Sequence, residues 1–495
     1  MNDLDQNILI NMLKINTKFS SPLWNKLELF VKTLQKKIYQ ASSEGNSNNL
    51  ISYQQILINS LELKYLALKY VLHWNKKYVK SEDIASIDLN YIKQLCLNNS
   101  AEVSYISVFR KSNKREKKAS LKDLVLQKLV LMVLEPEWEA RIESGSYGFK
   151  EGYSIQQSII KLYSFLVKDC RYINATIISC TINFFSPDLN HQLVLKKIKY
   201  KGLMYNQIKA WLEASYMNIY KKLLNPRFQY SNICLFDKHT ITPLIADIIL
   251  YGLQHSLEWQ SFKTLEKQNL TNVKSCDIVR YANHLIIVLN HNDINIISNY
   301  LSTIKQFLKL LGISLSNTDL TISSLYEGFD FLGYNFKRYN NLNTWNSENS
   351  KVIISPSAQN KKKYFRSIKQ CLYHKDKLNR WRANSQMRQD DIIEKLNPII
   401  QNFSNYYCHF VAVKILKEMD RVLNEIIYRY AVKKYKTAKY EKWNHNWIKI
   451  INGKKIIAYQ DNFSKNHITL KSHLVSIYDT YQILPQYFNY YFTNL

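Results

Sequence analysis

Residues 278–289 read Ile278-Val279-Arg280-Tyr281-Ala282-Asn283-His284-Leu285-Ile286-Ile287-Val288-Leu289. Ile278 to Tyr281 and Leu285 to Leu289 are apolar runs rich in β-branched residues, and Asn is a normal turn residue. The segment therefore predicts two strands folding back through Ala282-Asn283-His284. Helices and strands alternate around it. Leu121 to Val133 and Pro243 to Leu257 read as helices, and Ala175 to Ile182 reads as a short strand. Phe329 to Phe336 reads as one aromatic strand with Gly333 inside it. Such mixing predicts an α+β core with an antiparallel sheet.

The 495 residues suffice for several domains around at least one large core. Lys plus Arg number 68 against 39 Asp plus Glu, a formal net charge of +29. AT-rich coding would inflate Lys, Asn, Ile and Tyr, but the charge is physically real and makes a polyanion the natural partner. An apolar content of 46% argues against a disordered basic tail, and only 10 Gly and 8 Pro exclude linker-dominated chains. The cysteines (Cys96, Cys170, Cys180, Cys234, Cys276, Cys371, Cys408) include no C-x-x-C pair. A disulfide framework and a Cys-rich zinc site are therefore not expected. No uninterrupted apolar run of about 18 residues predicts a membrane span. The start, Met1-Asn2-Asp3-Leu4-Asp5, lacks the character of an organelle transit peptide.

Leu27, Phe30, Val31, Leu34 and Ile38 recur at helical spacing, as do Leu61, Tyr65, Leu68 and Leu72, with a polar break from Ser42 to Asn49. A basic cluster holds Arg110, Lys111, Lys114, Arg115, Lys117 and Lys118. Asn340 to Ser350 reads as a linker. Beyond it the chain is basic and mostly helical, with Lys361, Lys362, Lys363, Arg366, Lys369, Lys375, Lys377, Arg380 and Arg382 against Asp376 alone. Tyr364, Phe365, Tyr373 and Trp381 interleave, the combination suited to phosphates and bases.

Two segments are more specific than composition. One is Leu134-Glu135-Pro136-Glu137-Trp138-Glu139-Ala140, followed by Ser146-Tyr147-Gly148-Phe149-Lys150-Glu151-Gly152-Tyr153-Ser154. The other is Gly328-Phe329-Asp330-Phe331-Leu332-Gly333-Tyr334. Together they resemble the reverse-transcriptase domain of group II intron-encoded proteins, where L-E-P-x-W-E, S-Y-G-F-R-x-G and G-F-x-F-L-G occur in that order. Leu34-Gln35-Lys36-Lys37-Ile38 resembles that family's N-terminal region. Lys351 to Ser357 and Leu396-Asn397-Pro398-Ile399-Ile400 through Phe403-Ser404-Asn405-Tyr406-Tyr407 are similar to its maturase, or X, domain. The resemblance implies right-hand fingers and palm with an antiparallel palm sheet, followed by an α-helical thumb. The implied domains are an N-terminal helical extension (1–95), fingers and palm (96–345), the thumb or maturase X domain (351–440) and a C-terminal tail (441–495).

Polymerisation by this family needs carboxylates converging on two Mg²⁺ ions, which want hard oxygen ligands. Where relatives carry Y-A-D-D, this chain reads Tyr281-Ala282-Asn283-His284, and imidazole is a poor Mg²⁺ ligand. Anchoring on His191 places Thr181-Ile182 at the third acid. Asp277 and Asp188 lie too far along the chain to substitute, Asp277 by about 20 Å of strand. Phe236-Asp237-Lys238-His239 replaces the glycine loop P-Q-G-G. The endonuclease module of mobile relatives has no counterpart, since the tail carries His445, His467 and His473 but no Cys; these histidines are expected to pack or face solvent.

The resemblance thus implies an intron maturase that is not an enzyme. It would bind group II intron RNA within the precursor transcript and promote folding and splicing, the RNA being the catalyst. No catalytic residue is expected, with degenerate positions at Thr181, Asn283 and His284, and no metal or cofactor held by the protein; Mg²⁺ would be required by the RNA. RNA contacts are expected from Arg110, Lys111, Lys114, Arg115, Lys117 and Lys118 in the fingers. In the thumb they are expected from Lys361, Lys362, Lys363, Arg366, Lys369, Arg380, Arg382, Lys414 and Lys417. A homodimer is left open. Rival readings are an active reverse transcriptase with altered metal ligands and a general RNA chaperone. An organelle is expected, a plastid ahead of a mitochondrion.

Overall fold

The computed structural model describes residues 6, 8–11, 13, 22–74, 87–97, 101, 103, 105–109, 115–148, 154–168, 175–182, 189–198, 202–213, 241–267, 276–290, 292–313, 315, 320–339, 351–435, 437–451, 453–460 and 467–474. Helices dominate, and the sheets are antiparallel. These residues divide into two compact units, 6–322 and 323–474.

The first unit opens with α1 (Pro22–Ser43), α2 (Ser47–Asn59), α3 (Leu61–Trp74) and α4 (Leu89–Gln94). Trp24, Leu27, Val31, Leu34 and Ile38 form the buried stripe of α1, as their spacing requires. Phe30, assigned to that stripe from periodicity, is instead 41% exposed. The polar break is shorter than expected, because Asn46 caps α2 by accepting from the Asn49 N–H. Strands β1 (Tyr105–Phe109) and β2 (Arg115–Ala119) pair as a hairpin ahead of α5 (Leu121–Arg141).

α5 runs eight residues past Val133, where its sequence reading stopped, and carries Pro136 inside it. Proline cannot donate to the carbonyl four residues back, which normally costs a helix dearly. Here that orphan is the Met132 carbonyl, and Gln35 Nε2 donates to it at 2.8 Å. One residue on, Ser42 Oγ donates to the Glu137 carbonyl at 3.0 Å, and Gln54 Nε2 donates to the Glu137 carboxylate at 2.7 Å. Arg141 pairs with the same carboxylate at 2.8 Å. The L-E-P-E-W-E segment is thus the joint on which α1 and α2 lock, and Trp138 closes it edge-on to Tyr251 at 5.4 Å. Removing Gln35 strands the Met132 carbonyl. Gln35→Ala is expected to cost about 1–3 kcal/mol of stability, read as a lower denaturant midpoint with unchanged slope.

Next come α6 (Ile155–Lys168), β3 (Thr176–Thr181), α7 (His191–Lys197), α8 (Leu203–Glu213), α9 (Thr242–Leu250) and α10 (Leu253–Lys267). The single helix read from Pro243 to Leu257 is broken at Tyr251-Gly252. Lys197 Nζ donates to the Ile249 and Tyr251 carbonyls at 2.6 and 2.7 Å, and the Gly252 N–H donates to Glu143 at 2.6 Å. These side chains satisfy the backbone that a continuous helix would have satisfied. Burial pulls the Lys197 ammonium down to about 8, against the pull of Glu143. β4 (Cys276–Tyr281), β5 (His284–Leu289), α11 (Ile294–Leu310) and β6 (Leu320–Ser324) complete a sheet ordered β4-β5-β3-β6.

The second unit begins at Ser323, ahead of the Gly328 segment. The strand read through Phe329–Phe336 is two strands, β7 (Phe329–Phe331) and β8 (Tyr334–Tyr339), turning at Leu332-Gly333 with φ of +48° and +81°. Two positive φ values make the tight turn whose twist suits a hairpin. β9 (Lys351–Pro356) pairs with β8, and α12 (Ala358–Leu372) follows. Tyr406 and Tyr407 hydroxyls donate to the Leu332 and Gly333 carbonyls at 2.6 and 2.9 Å, and Asn360 Nδ2 donates to the Tyr407 hydroxyl at 2.8 Å. A Cβ at Gly333 would sit 2.2 Å from that amide nitrogen.

The region expected to be helical also contains strands. β9 alternates buried Val352 and Ile354 with exposed Lys351 and Ile353, the period of a strand with one covered face. β10 (Tyr373–Lys375) and β11 (Trp381–Ala383) form a second hairpin ahead of α13 (Gln389–Tyr407), α14 (Val413–Lys434) and α15 (Lys439–Trp447). β12 (Ile448–Ile451), β13 (Lys454–Gln460) and β14 (His467–Thr469) make a small sheet. The chain after it is held by His473, whose ring is fully buried. Its Nδ1 meets Asp420 at 2.5 Å and its Nε2 the Tyr364 hydroxyl at 2.7 Å. Burial raises Tyr364, so the phenol stays protonated. His473 thus packs, whereas His445 and His467 are exposed.

Candidate functional site

Two places bear on chemistry, one in each unit. In the first, β4 and β5 turn at Ala282-Asn283, with Ala282 at φ +54°. The register sets Thr181 opposite His284, and Thr181 Oγ1 lies 3.3 Å from His284 Nδ1. The Ile182 N–H donates to the Asn283 carbonyl at 2.8 Å. Thr181, Asn283 and His284, assigned to one site from motifs scattered over a hundred residues, therefore stand together at one end of the sheet. All three are half-buried.

Carboxylates are what the three positions lack. Burial drives His284 down to about 4, so its imidazole is neutral at physiological pH. A hydroxyl, an amide and a neutral imidazole do not match the anionic oxygen set that Mg²⁺ requires, so the donors present do not fit a polymerase metal pair. Among the described residues no group of three or more His, Cys, Asp or Glu side chains gathers as a metal site. Asp277 is 5% exposed within β4, and Asp188 and His239 lie outside the described residues.

The hairpin is nevertheless firmly held. Ser146 bridges to Arg280, with backbone bonds from the Tyr147 N–H to the Arg280 carbonyl and from the Arg280 N–H to the Gly145 carbonyl, both 2.8 Å. The Arg280 guanidinium is buried, pairs with Asp247 at 2.8 Å and donates to Ser146 Oγ at 2.6 Å. Arg280 and Asp247, neither foreseen as functional from the sequence, anchor the turn from below.

The second place is cationic. Asn360, Tyr364, Ile368 and Leu372 form the buried stripe of α12, which turns Lys362, Arg366 and Lys369 outward at spacings of four and three. Lys361 and Lys363 flank the stripe half-buried, and burial lowers Lys363. Lys369 continues the stripe onto the β10–β11 hairpin, with its Nζ 4.8 Å from the Trp381 ring and Lys375 Nζ 5.6 Å from the same ring. Arg380 and Arg382 project from that hairpin, their side chains 59% and 55% exposed. Lys414 and Lys417 are exposed on the first turns of α14, a separate helix.

Asp376, read from sequence only as an opposing charge, organises the hairpin. It accepts from the Leu378 and Arg380 N–H groups, both 2.9 Å, and from Arg380 Nε and Arg382 Nε at 3.2 and 3.1 Å. The Arg380 N–H, with both guanidiniums, holds its carboxyl below the usual range. The sequence signal was available in an acid followed four and six residues on by arginines across a turn-prone Leu378-Asn379. Of the basic cluster expected in the fingers, Arg115, Lys117 and Lys118 lie on β2, and Arg110, Lys111 and Lys114 fall outside the described residues. No helix among the described residues is long and apolar enough to cross a membrane.

Comparison with known proteins meets this geometry at both ends of the chain. Residues 20–94 match the N-terminal domain of reverse transcriptase, and residues 372–447 match the maturase-specific domain of group II introns. The second match covers the β10–β11 hairpin and the helices after it. Maturase-like protein 1 of Euglena longa is 24% identical over 414 residues, covering 79% of this chain and 78% of that protein. Maturase-like protein 1 of Euglena gracilis is 23% identical over 412 residues, covering 78% and 76%.

Proposed function

We propose, starting from a chain that is a group II intron maturase with a reverse-transcriptase N-terminal domain, that it serves splicing and not polymerisation. It binds a group II intron within the precursor transcript and favours the folded ribozyme, whose own RNA holds the catalytic Mg²⁺. The observation that carries this reading is the outward stripe Lys362–Arg366–Lys369 with Lys375 on the shared Trp381 ring, together with the exposed Arg380 and Arg382 of the same hairpin. Close packing of RNA helices crowds phosphates together. A cationic face neutralises them and releases counterions, so compaction costs less.

The non-enzymatic half of the proposal is supported by the neutral set Thr181, Asn283 and His284, and by Asp247, the carboxylate beside the hairpin, being buried and already paired with Arg280. Primer extension on a primed RNA template with Mg²⁺ or Mn²⁺ is expected to give no templated product. Asn283→Ala is expected to leave intron excision unchanged, because no phosphate or metal depends on that amide. Templated synthesis by the wild type, or loss of splicing in Asn283→Ala, would return the site to catalysis. Against a general chaperone, the protein is expected to prefer group II intron RNA over an unrelated structured RNA of equal length at one fixed salt. Equal affinities would reject the maturase reading. We place the protein in an organelle, a plastid ahead of a mitochondrion, on its composition and its likeness to the Euglena proteins.

A further inference from the structure

We infer that Asp376 is a positioning residue for RNA binding, gathering Arg380 and Arg382 into one guanidinium fork that takes the phosphodiester backbone. This rests on the proposed function and names the group that would read the RNA within it. An acid at the centre of a cationic face should weaken its hold on a polyanion unless the acid is needed there. The geometry supplies the need. One carboxylate oxygen of Asp376 accepts from both Nε atoms, and the other accepts the two backbone N–H groups that close the loop. Two free guanidiniums repel each other and wander through many rotamers.

Held through Nε, each guanidinium keeps its end-on Nη1/Nη2 edge, and both side chains remain more than half exposed. That edge offers two parallel N–H groups that can pair with two phosphate oxygens. His374 and Arg382 are register partners across the hairpin, so Arg382 rides on the strand ladder, while Asp376 and Arg380 close the connecting loop, where the Asp376 N–H donates to the Arg380 carbonyl at 2.9 Å. Lys369 and Lys375, seated on the intervening Trp381 ring, add charge without competing for Asp376.

The test uses the full chain and a structured group II intron transcript, with affinity measured at two salt concentrations. Asp376→Ala removes a negative charge, so charge alone predicts tighter binding. The fork predicts weaker binding, by about tenfold. The double variant Arg380→Lys/Arg382→Lys keeps the charge and the loop's backbone bonds but destroys the planar fork, and the same loss is expected. Both variants must weaken binding for the inference to stand. Unchanged or tighter binding by Asp376→Ala makes the acid a turn former only, and unchanged binding by the lysine pair removes the fork. Should the wild type show no preference for intron RNA, the proposed function falls alone, because the variant-to-wild-type ratio on any structured RNA still reads the fork.

Discussion

Gly148→Ala is expected to leave the first unit unable to close on its central hairpin. A Cβ at this position would lie 2.0 Å from the Ala282 nitrogen, 2.7 Å from its Cα and 3.0 Å from the Tyr281 carbonyl carbon. All three are backbone atoms, so no side chain can swing aside. The turn cannot retreat either, because Arg280 is fixed to Asp247 and Ser146, and Ile182 holds the Asn283 carbonyl. Overpacking a fixed core costs about 1–3 kcal/mol and occasionally more; a methyl driven onto backbone belongs at or above that ceiling. The expected readout is insoluble protein or a large fall in denaturant midpoint, beside near-wild-type stability for Asn283→Ala. Wild-type stability in Gly148→Ala would mean that residues 145–148 stand clear of the turn. The contrast separates two properties of one hairpin, a shape still demanded by packing and a chemistry no longer demanded.

How much of this was readable beforehand depended on which interactions decide each element. The β4–β5 hairpin was legible because its runs are apolar and β-branched and meet at an Asn. The coming together of Thr181 with Asn283 and His284 was legible only through the resemblance, since no local pattern links β3 to β5. The β7–β8 turn was hidden because Leu332 has no local reason to adopt positive φ. Tyr406 and Tyr407 hold it there from some seventy residues away. α5 was read eight residues too short for the converse reason. Proline ends helices locally, and only Gln35, nearly a hundred residues earlier, satisfies the carbonyl it strands. The strand Lys351–Pro356 does alternate, but its short period-2 signal was outweighed by the basic helical stretch after it. At the cationic face, charge counting found the lysines and arginines but not Asp376, whose value lies in geometry and not in its sign.

Reversing Lys362, Arg366 and Lys369 together to Glu is expected to abolish measurable RNA binding while sparing the fold. All three point away from the buried stripe of Asn360, Tyr364, Ile368 and Leu372, so packing of α12 is untouched. Surface changes of this kind usually move stability by no more than about 0.5 kcal/mol each. Thermal unfolding should therefore stay close to wild type, with a small loss where Lys369 leaves the Trp381 ring. Binding should respond far more strongly, because each lysine or arginine on a phosphate contributes roughly one unit to the slope of log affinity against log salt. Losing three should flatten that slope by about three units, and three new carboxylates facing phosphate add repulsion to the loss. An affinity drop of at least about a hundredfold at moderate salt follows, and splicing should fail with it. A triple reversal at Lys26, Lys32 and Lys36, all exposed on α1, carries the same change in net charge on a different helix. If that control lost binding as completely, the partner would be sensing overall charge, and the stripe on α12 would have no special claim as the RNA-binding face.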